Sequence, residues 1–320
     1  MNAKQPAPGS GDPEPTIRPG ARLLVVAGPT ASGKSALAVE LAQLLRGEIV
    51  NADSQQVYRG LDVGTAKPTA AERADVRHHL LDVVEPGEPM DAARFVALAD
   101  AAIADVGARG KLPVVVGGTG LYVRALLHGV VAAPGRDPAL RARLEEEAAR
   151  LGRPALHARL AQVDPAAAAR IRPNDLVRIV RALEIAAGGA RPSELFAAHR
   201  FQEDRYAARL LALDPPRAEL HRRIDARARA MFGGGILDEA QALLSRRGGD
   251  EPDRLPIGYA QAVAVVRGEL DVEEAIRRVQ VAHRRYARRQ VIWLRREAGV
   301  EWIAPPFDAD ALARRVMEGR

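Results

Sequence analysis

RLLVVAGPTASGKS occupies residues 22–35. Its first part, Arg22–Ala27, is a short apolar run closed by Gly28-Pro29, the pattern of a strand buried in a parallel sheet. Ser35–Leu45 follows with apolar residues at Leu37, Leu41 and Leu44/Leu45, the spacing of a helix. Between them Gly28, Pro29, Thr30, Ala31, Ser32, Gly33, Lys34 and Ser35 fit G-x-x-x-x-G-K-[ST] completely. Glycines let such a loop curl until its backbone N–H groups converge on an anion, and the helix start adds positive potential. Lys34 meets phosphate oxygens as a point charge, and the Ser35 hydroxyl is placed to ligate Mg²⁺. Strand, loop and helix in this order predict phosphate binding at the edge of an α/β sheet.

Further strands lie outward from this unit. Glu48–Ala52 reads as one, with Asp53 at its carboxyl end, and Leu112–Val116 as another, stopped by Gly117-Gly118. Asp91–Val106 between them has helical spacing. Alternating strands and helices predict a parallel, P-loop NTPase-like sheet flanked by helices. The Leu112–Val116 run enters Gly117-Gly118-Thr119-Gly120 without an acid, whereas the usual NTPase places an aspartate there to support Mg²⁺. A motor or GTPase is thereby disfavoured, and a small-molecule kinase stays open.

After Ala133-Pro134-Gly135 the pattern changes. Residues 137–205 hold no strand-like run and offer helices near 137–151, 153–162, 164–171 and 174–187, separated by Gly, Pro and Asn-Asp signals. They read as an all-helical insertion into a core made of residues 21–136 and 206–320. Leu210–Leu213 is the expected return strand. Long helices follow to about 247 and over 271–296, with a short final strand at 301–304. The first 20 residues, with five prolines, three glycines and no apolar run, read as a disordered tail rather than a signal peptide.

The chain has 320 residues, no cysteine and a net charge of +6. A disulfide framework and a thiolate metal site are excluded. No stretch approaches a membrane span, so a cytoplasmic protein without membrane contact is expected. Only four residues are lysine, Lys4, Lys34, Lys67 and Lys111, against 43 arginines. With so much alanine this is a compositional bias, and arginine counts alone say little about partners. Arg277–Arg296 still stands out, with eight arginines and no acid, and Arg284, Arg288 and Arg295 share one helical face. Tyr286 and Trp293 on the same helix read as core, given how few aromatics the chain has.

Asp53-Ser54-Gln55-Gln56 stands where a sheet of this kind faces its ligand. Asp53 there can accept a proton or a hydrogen bond, although Asp and Ser also serve as ordinary helix caps. Gln55 and Gln56 carry the paired donors and acceptors that suit a base edge. His78-His79 does not make a zinc site, because adjacent strand residues point to opposite faces and no further ligand is near.

Several strings together resemble the tRNA dimethylallyltransferase (tRNA isopentenyltransferase, IPP transferase) family. They are GPTASGKS at 28–35, NADSQQVYRGLDVGTAKP at 51–68, HHLLDVVEP at 78–86, LPVVVGGTGLYVRALL at 112–127, RPNDLVRIVRALEI at 172–185, IGY at 257–259 and RRQVIWLR at 288–295. The likeness runs from about residue 22 to 303. It implies dimethylallyl diphosphate and tRNA as substrates, Mg²⁺ as the assisting ion, and prenylation of the exocyclic amine of adenosine 37 in the anticodon loop. It implies Asp53, Thr119 and Arg223 as catalytic residues and Gly28 to Ser35 as the diphosphate or nucleotide site. By the same likeness Asp53, Ser54, Gln55, Gln56, Thr119, Arg141, Arg178 and Arg181 contact tRNA, and a monomer is expected. One departure is visible. The family places Gln-Ala before its hydrophobic-Gly-Tyr and a basic residue after it, whereas this chain has Leu255-Pro256 before and Ala260 after. The competing readings are a P-loop kinase of a nucleoside or small metabolite, which leaves DSQQVYRG and GTAKP unexplained, and a non-catalytic RNA-binding protein, which leaves the phosphate loop idle.

Overall fold

The computed structural model describes residues 22–199, 204–252 and 254–318. The N-terminal tail expected at 1–20 lies outside them. Two compact units form, one from the segments ending at Leu127 and beginning at Asp204, the other from His128–Glu203.

The larger unit is built on six parallel strands: β1 (Arg22–Ala27), β2 (Gly47–Asn51), β3 (His78–His79), β4 (Leu112–Gly117), β5 (Ala207–Leu213) and β6 (Val300–Ile303). Their spatial order is β3-β2-β4-β1-β5-β6. β1 therefore sits between β4 and β5, with Ala27 level with Gly117 and Ala212. The loops leaving β1, β2 and β4 all emerge from the carboxyl edge of the sheet, where α/β folds bind ligands.

Strand residues alternate between two cores. Leu23, Val25, Val50, Val115 and Ala212 face α3 (Ala92–Ala108) and α4 (Gly120–His128), where Phe95 and Tyr122 stack with centroids 4.3 Å apart. Leu24, Val26, Ile49, Val114 and Leu211 face the opposite side, against Leu37 and Leu41 of α1 (Lys34–Leu44) and Leu312 of α14 (Ala309–Glu318). Burial on both faces is why β1 and β4 read as unbroken apolar runs. Short α2 (Ala70–Asp75) is started by a capping box between Thr69 and Glu72. A third core, centred on the fully buried Tyr259, joins α10 (Arg217–Gly233), α11 (Ile236–Arg246), α12 (Tyr259–Val266) and α13 (Val272–Leu294).

The smaller unit contains α5 (Pro138–Leu151), α6 (Arg153–Val163), α7 (Pro165–Arg170), α8 (Leu176–Ala187) and α9 (Pro192–His199). Leu144, Leu156, Leu160, Ile179 and Val180 form its own core. Asp137, Asp164 and Asp175 cap α5, α7 and α8 through their side chains, and proline stands in the first turn of α5, α6 and α7. Such start signals need no tertiary context, which is why these helices are readable from sequence. Helices α2, α4, α9, α12 and α14 lie beyond the expected elements. All are short; α2 carries a readable capping box, and the others are distinguished from loop by their packing.

Candidate active site

The turn after β1 is wound around left-handed residues. Ala31 has φ 64° and Gly33, the N-cap of α1, has φ 94°. A side chain is strained in that region, so glycine at position 33 is a backbone requirement. The Ser32 N–H donates to the Pro29 carbonyl at 3.2 Å, closing the loop. Two features leave the loop short of a partner. Lys34 is buried and its Nζ reaches only the Pro29 carbonyl, at 3.4 Å. The Ser32 hydroxyl is buried and makes no hydrogen bond. Burial pulls the Lys34 pKa down to about 8, with the Asp53 charge opposing and Arg227 reinforcing the shift. An ammonium held this way gains most from an arriving anion.

Asp53 is fixed by its neighbours. The Asn51 side chain donates to the Asp53 and Leu80 carbonyls at 3.3 and 3.2 Å and accepts from the Asp53 N–H at 3.2 Å. One Asp53 carboxylate oxygen then accepts from the Gln55 N–H at 2.8 Å. The carboxylate is thus held in a turn rather than at a helix start. Ser54 donates its N–H to the Thr119 hydroxyl at 2.9 Å, which in turn donates to the Ser54 hydroxyl at 3.1 Å. Thr119 and Ser54 are thus joined directly beside Asp53.

The segment from Gln55 to Lys67 is pinned from several sides. Gln56 donates to the Ala66 carbonyl at 2.9 Å, and Gln55 accepts from the Ile257 N–H at 3.3 Å. Both amides serve the fold as well as any base they meet. The Lys67 side chain is fully buried and donates to the Tyr58 carbonyl at 2.5 Å, Asp62 at 2.6 Å and Asp82 at 2.5 Å. Tyr259 of the IGY string accepts from the Gly64 N–H at 3.1 Å and donates to Glu239 at 2.5 Å. The tyrosine orients this loop from beneath, so its role survives the missing basic residue after it.

Thr30, Lys34, Ser35, Asp53, Gln56 and Arg227 line one cavity of about 250 Å³. Arg227 is the residue that sequence reading missed. It donates to the Thr30 hydroxyl and the Thr65 carbonyl, both at 3.3 Å, while its buried Nε has no partner. Burial lowers its pKa and the Asp53 charge works the other way. Arg223, one turn earlier on α10, is the predicted arginine. It is paired with Glu219 at 2.7 Å, reaches the Ser32 carbonyl only at 3.4 Å, and is not part of the cavity lining.

Helix α13 supplies another wall. Tyr286 stands beside Thr119 and Gln290, and burial with the Asp53 charge raises its pKa. Tyr286 is therefore part of the site and not simply core as its sequence context suggests. Trp293 does pack against the sheet core. His283 is buried, its pKa pushed down to about 4 by burial and by Arg227, so it is neutral at pH 7. Gly117, Gly118 and Gly120 leave no room for a β-carbon, which would overlap the Ala52 carbonyl, the Gln290 amide and the Trp293 indole respectively.

A second, wider groove of about 900 Å³ runs between α10 and α13 and is lined by Arg217, Arg284, Arg285, Arg288 and Arg295. The arginine face expected at 284, 288 and 295 thus exists. Arg284 is paired with Asp225. In the smaller unit Arg141 binds the buried Glu184 through both nitrogens, at 2.9 and 2.8 Å, and Arg181 donates to the Pro134 carbonyl at 2.9 Å. Arg178 is the most outward of the three, with 72% of its side chain exposed and Asp175 at 3.5 Å. The paired histidines hold the fold: His78 bonds to the Val76 carbonyl and His79 to Glu48, and no cluster of metal-ligating side chains is found among the described residues.

Comparison with known proteins places this geometry. A family model described as "IPP transferase" matches residues 56–297, and one described as "Isopentenyl transferase" matches residues 21–86. The chain is 82% identical over 298 residues to a protein of Anaeromyxobacter sp. (strain Fw109-5) named tRNA dimethylallyltransferase, covering 93% of this chain and 99% of that one. A Myxococcus xanthus protein of the same name is 52% identical, with 90% and 94% covered. The crystal structure of a full-length tRNA isopentenylpyrophosphate transferase from Bacillus halodurans superposes with a TM-score of 0.66 at 38% identity, over 93% of this chain and 95% of that one. A structure of a eukaryotic dimethylallyltransferase acting on tRNA gives a TM-score of 0.78 at 28% identity, over 92% and 78% of the two chains. Family model, relatives and fold agree, and the chain belongs to the IPP transferase family.

Proposed function

We propose that this protein transfers a dimethylallyl group from dimethylallyl diphosphate to the exocyclic amine of adenosine 37 in a tRNA anticodon loop, acting as a cytoplasmic monomer. The observation that carries the reading is the shared cavity. The phosphate loop, the cations Lys34 and Arg227, and the carboxylate of Asp53 all border one small space. A diphosphate in the loop would meet backbone N–H groups, the Ser32 hydroxyl and two cations that have no acid bonded to them. The relatives named for this reaction on tRNA supply the substrates.

The chemistry follows from that placement. The carbon–oxygen bond of the allylic diphosphate breaks and diphosphate leaves with the electron pair, stabilised by Lys34, Arg227 and the loop amides. The amine nitrogen forms the new carbon–nitrogen bond. An adenine amine is a weak nucleophile because its lone pair is delocalised into the ring. The Asp53 carboxylate, with one oxygen already held by the Gln55 N–H, accepts the amine proton as the bond forms. Anticodon-loop bases are unpaired, so bringing one out of its stack is inexpensive.

The residues present also fit Mg²⁺. Ser35 offers a hydroxyl oxygen to the same cavity, with no multi-carboxylate cage among the described residues. That is the donor set of an ion sharing its coordination with a substrate phosphate. When bound, Mg²⁺ would neutralise charge on the departing diphosphate. By the family likeness Ser54, Gln55, Gln56 and Thr119 would meet the anticodon loop, and Arg141, Arg178 and Arg181 would meet tRNA. Among these arginines Arg178 is the best presented. No helix among the described residues is long and apolar enough to cross a membrane.

The test is incubation of the purified protein with dimethylallyl diphosphate, Mg²⁺ and unmodified tRNA, then mass analysis of the nucleosides. Prenylated adenosine is expected. Its absence with a competent tRNA, together with ATP-dependent phosphorylation of a nucleoside, would favour the kinase.

A further inference from the structure

Gln290 lies on α13, more than 250 residues from the phosphate loop in sequence, yet it is buried between two active-site loops. Its carbonyl oxygen accepts from the Thr30 N–H at 2.8 Å. Its amino group donates to the Gly118 carbonyl at 2.9 Å. Gly118 is followed directly by Thr119, beside which Tyr286 stands one turn earlier on the same helix. Thr119 in turn holds Ser54, the neighbour of Asp53. Gln290 therefore ties the diphosphate loop to the Gly118–Thr119 backbone, and Thr119 carries the link on to the segment that holds the proton acceptor.

We propose that Gln290 is a positioning residue, whose amide fixes the spacing between the phosphate loop and the Thr119–Asp53 cluster so that the allylic carbon and the incoming amine stay in line. This rests on the reading of the reaction given above. The residue type is demanding. An amide of this length offers one acceptor and one donor on a single planar group at every pH. A carboxylate would accept from Thr30 but face the Gly118 carbonyl with a second acceptor, and a hydrocarbon would satisfy neither. Gly118 carries no side chain because the Gln290 amide occupies the space a β-carbon needs. Misplacing reacting groups by about 1 Å costs on the order of 10²-fold in rate.

The experiment compares Gln290→Glu, Gln290→Leu and Gly118→Ala with the wild-type chain in single-turnover prenyl transfer to tRNA, from pH 6 to 9, alongside thermal melting and tRNA binding. The Gln290→Leu variant should lose about 10²-fold in rate at every pH with tRNA binding within a few-fold. The Gln290→Glu variant should lose as much at high pH and regain rate relative to wild type as pH falls. A protonated carboxyl again offers one acceptor and one donor, and its burial moves that protonation toward neutrality. Tyr286, and the Asp53 and Arg289 charges that act on it, are common to variant and wild type, so the ratio removes their titration. The Gly118→Ala variant, whose β-carbon must displace the Gln290 amide, should lose rate in the same direction with tRNA binding within a few-fold. A flat ratio for Gln290→Glu, or wild-type rates in Gln290→Leu, would overturn the proposal. Should the glutamine variants not fold, a wild-type rate in Gly118→Ala would do so. Failure of the underlying reaction would look different: the wild-type chain itself would be inactive.

Discussion

Two glycine-rich loops leave adjacent strands of the sheet at the same level, since Ala27 of β1 is in register with Gly117 of β4. In sequence, GPTASGKS and GGTG look like two versions of one device. In the structure they use glycine for opposite purposes. The loop after β1 turns through left-handed residues and encloses an unpartnered hydroxyl and a buried cation, leaving space for an anion. The loop after β4 is filled by protein, with the Ala52 backbone, Gln290 and Trp293 standing where β-carbons would go. A glycine pattern therefore reports a close approach to the backbone without saying what approaches.

This contrast can be broken most severely on the β1 side. Replacing Lys34 or Arg227 by alanine should cut prenyl transfer by about 10²–10³-fold, the usual loss when one donor to a developing anion is removed. Global stability should be unchanged or higher, because neither cation has a bonded acid and Lys34 is buried. Inorganic diphosphate binding, measured by calorimetry, should weaken in parallel. On the β4 side the expected loss is one of folding. Gly120→Ala must push the Trp293 indole aside and should destabilise by about 1–3 kcal/mol in denaturant titration, as overpacking does. An alanine tolerated there without loss would mean that the loop has slack.

The Lys34 pKa of about 8 gives a smaller, pH-dependent effect. Below that value the free enzyme already carries the charge that diphosphate needs. Above it, binding must also take up a proton, so diphosphate affinity should fall by up to about tenfold per pH unit. Proton uptake measured by calorimetry in buffers of different ionisation enthalpy should appear between pH 8 and 9 and vanish near pH 6. The smallest effect belongs to Arg223→Ala. Its guanidinium is partly exposed and paired one helical turn away with Glu219, so within this geometry the change should cost well under tenfold in rate. A loss equal to that of Arg227→Ala would show that Arg223 swings inward when diphosphate is bound.

Those two arginines also show what could be read from sequence. The phosphate loop was legible because strand, turn and helix are contiguous, and each local signal agrees with the others. The helices of the smaller unit were legible for the same reason, through Asp caps and first-turn prolines. In LHRRIDARARAM, however, four arginines lie within eight residues, and family likeness favoured Arg223. Which one is buried depends on the helices packed around α10, and no local pattern carries that information. Gln290 and Tyr286 were missed in the same way. They sit in an arginine-rich helix whose charge drew attention to its outer face, while the functional contacts are on its inner one. Lys67 was noticed only as a rare lysine. Its burial among Asp62, Asp82 and the Tyr58 carbonyl, which shapes the whole 53–68 loop, needs the fold to be seen.

Proton transfer from the acceptor amine to Asp53, beside a diphosphate held in the β1 loop, can be measured by single-turnover transfer with Asp53→Ala, together with tRNA binding by the same protein. The expected tRNA affinity is within a few-fold of wild type, and the expected transfer rate is lower by about 10²–10⁴. Prenyl transfer at the wild-type rate would contradict this role of Asp53.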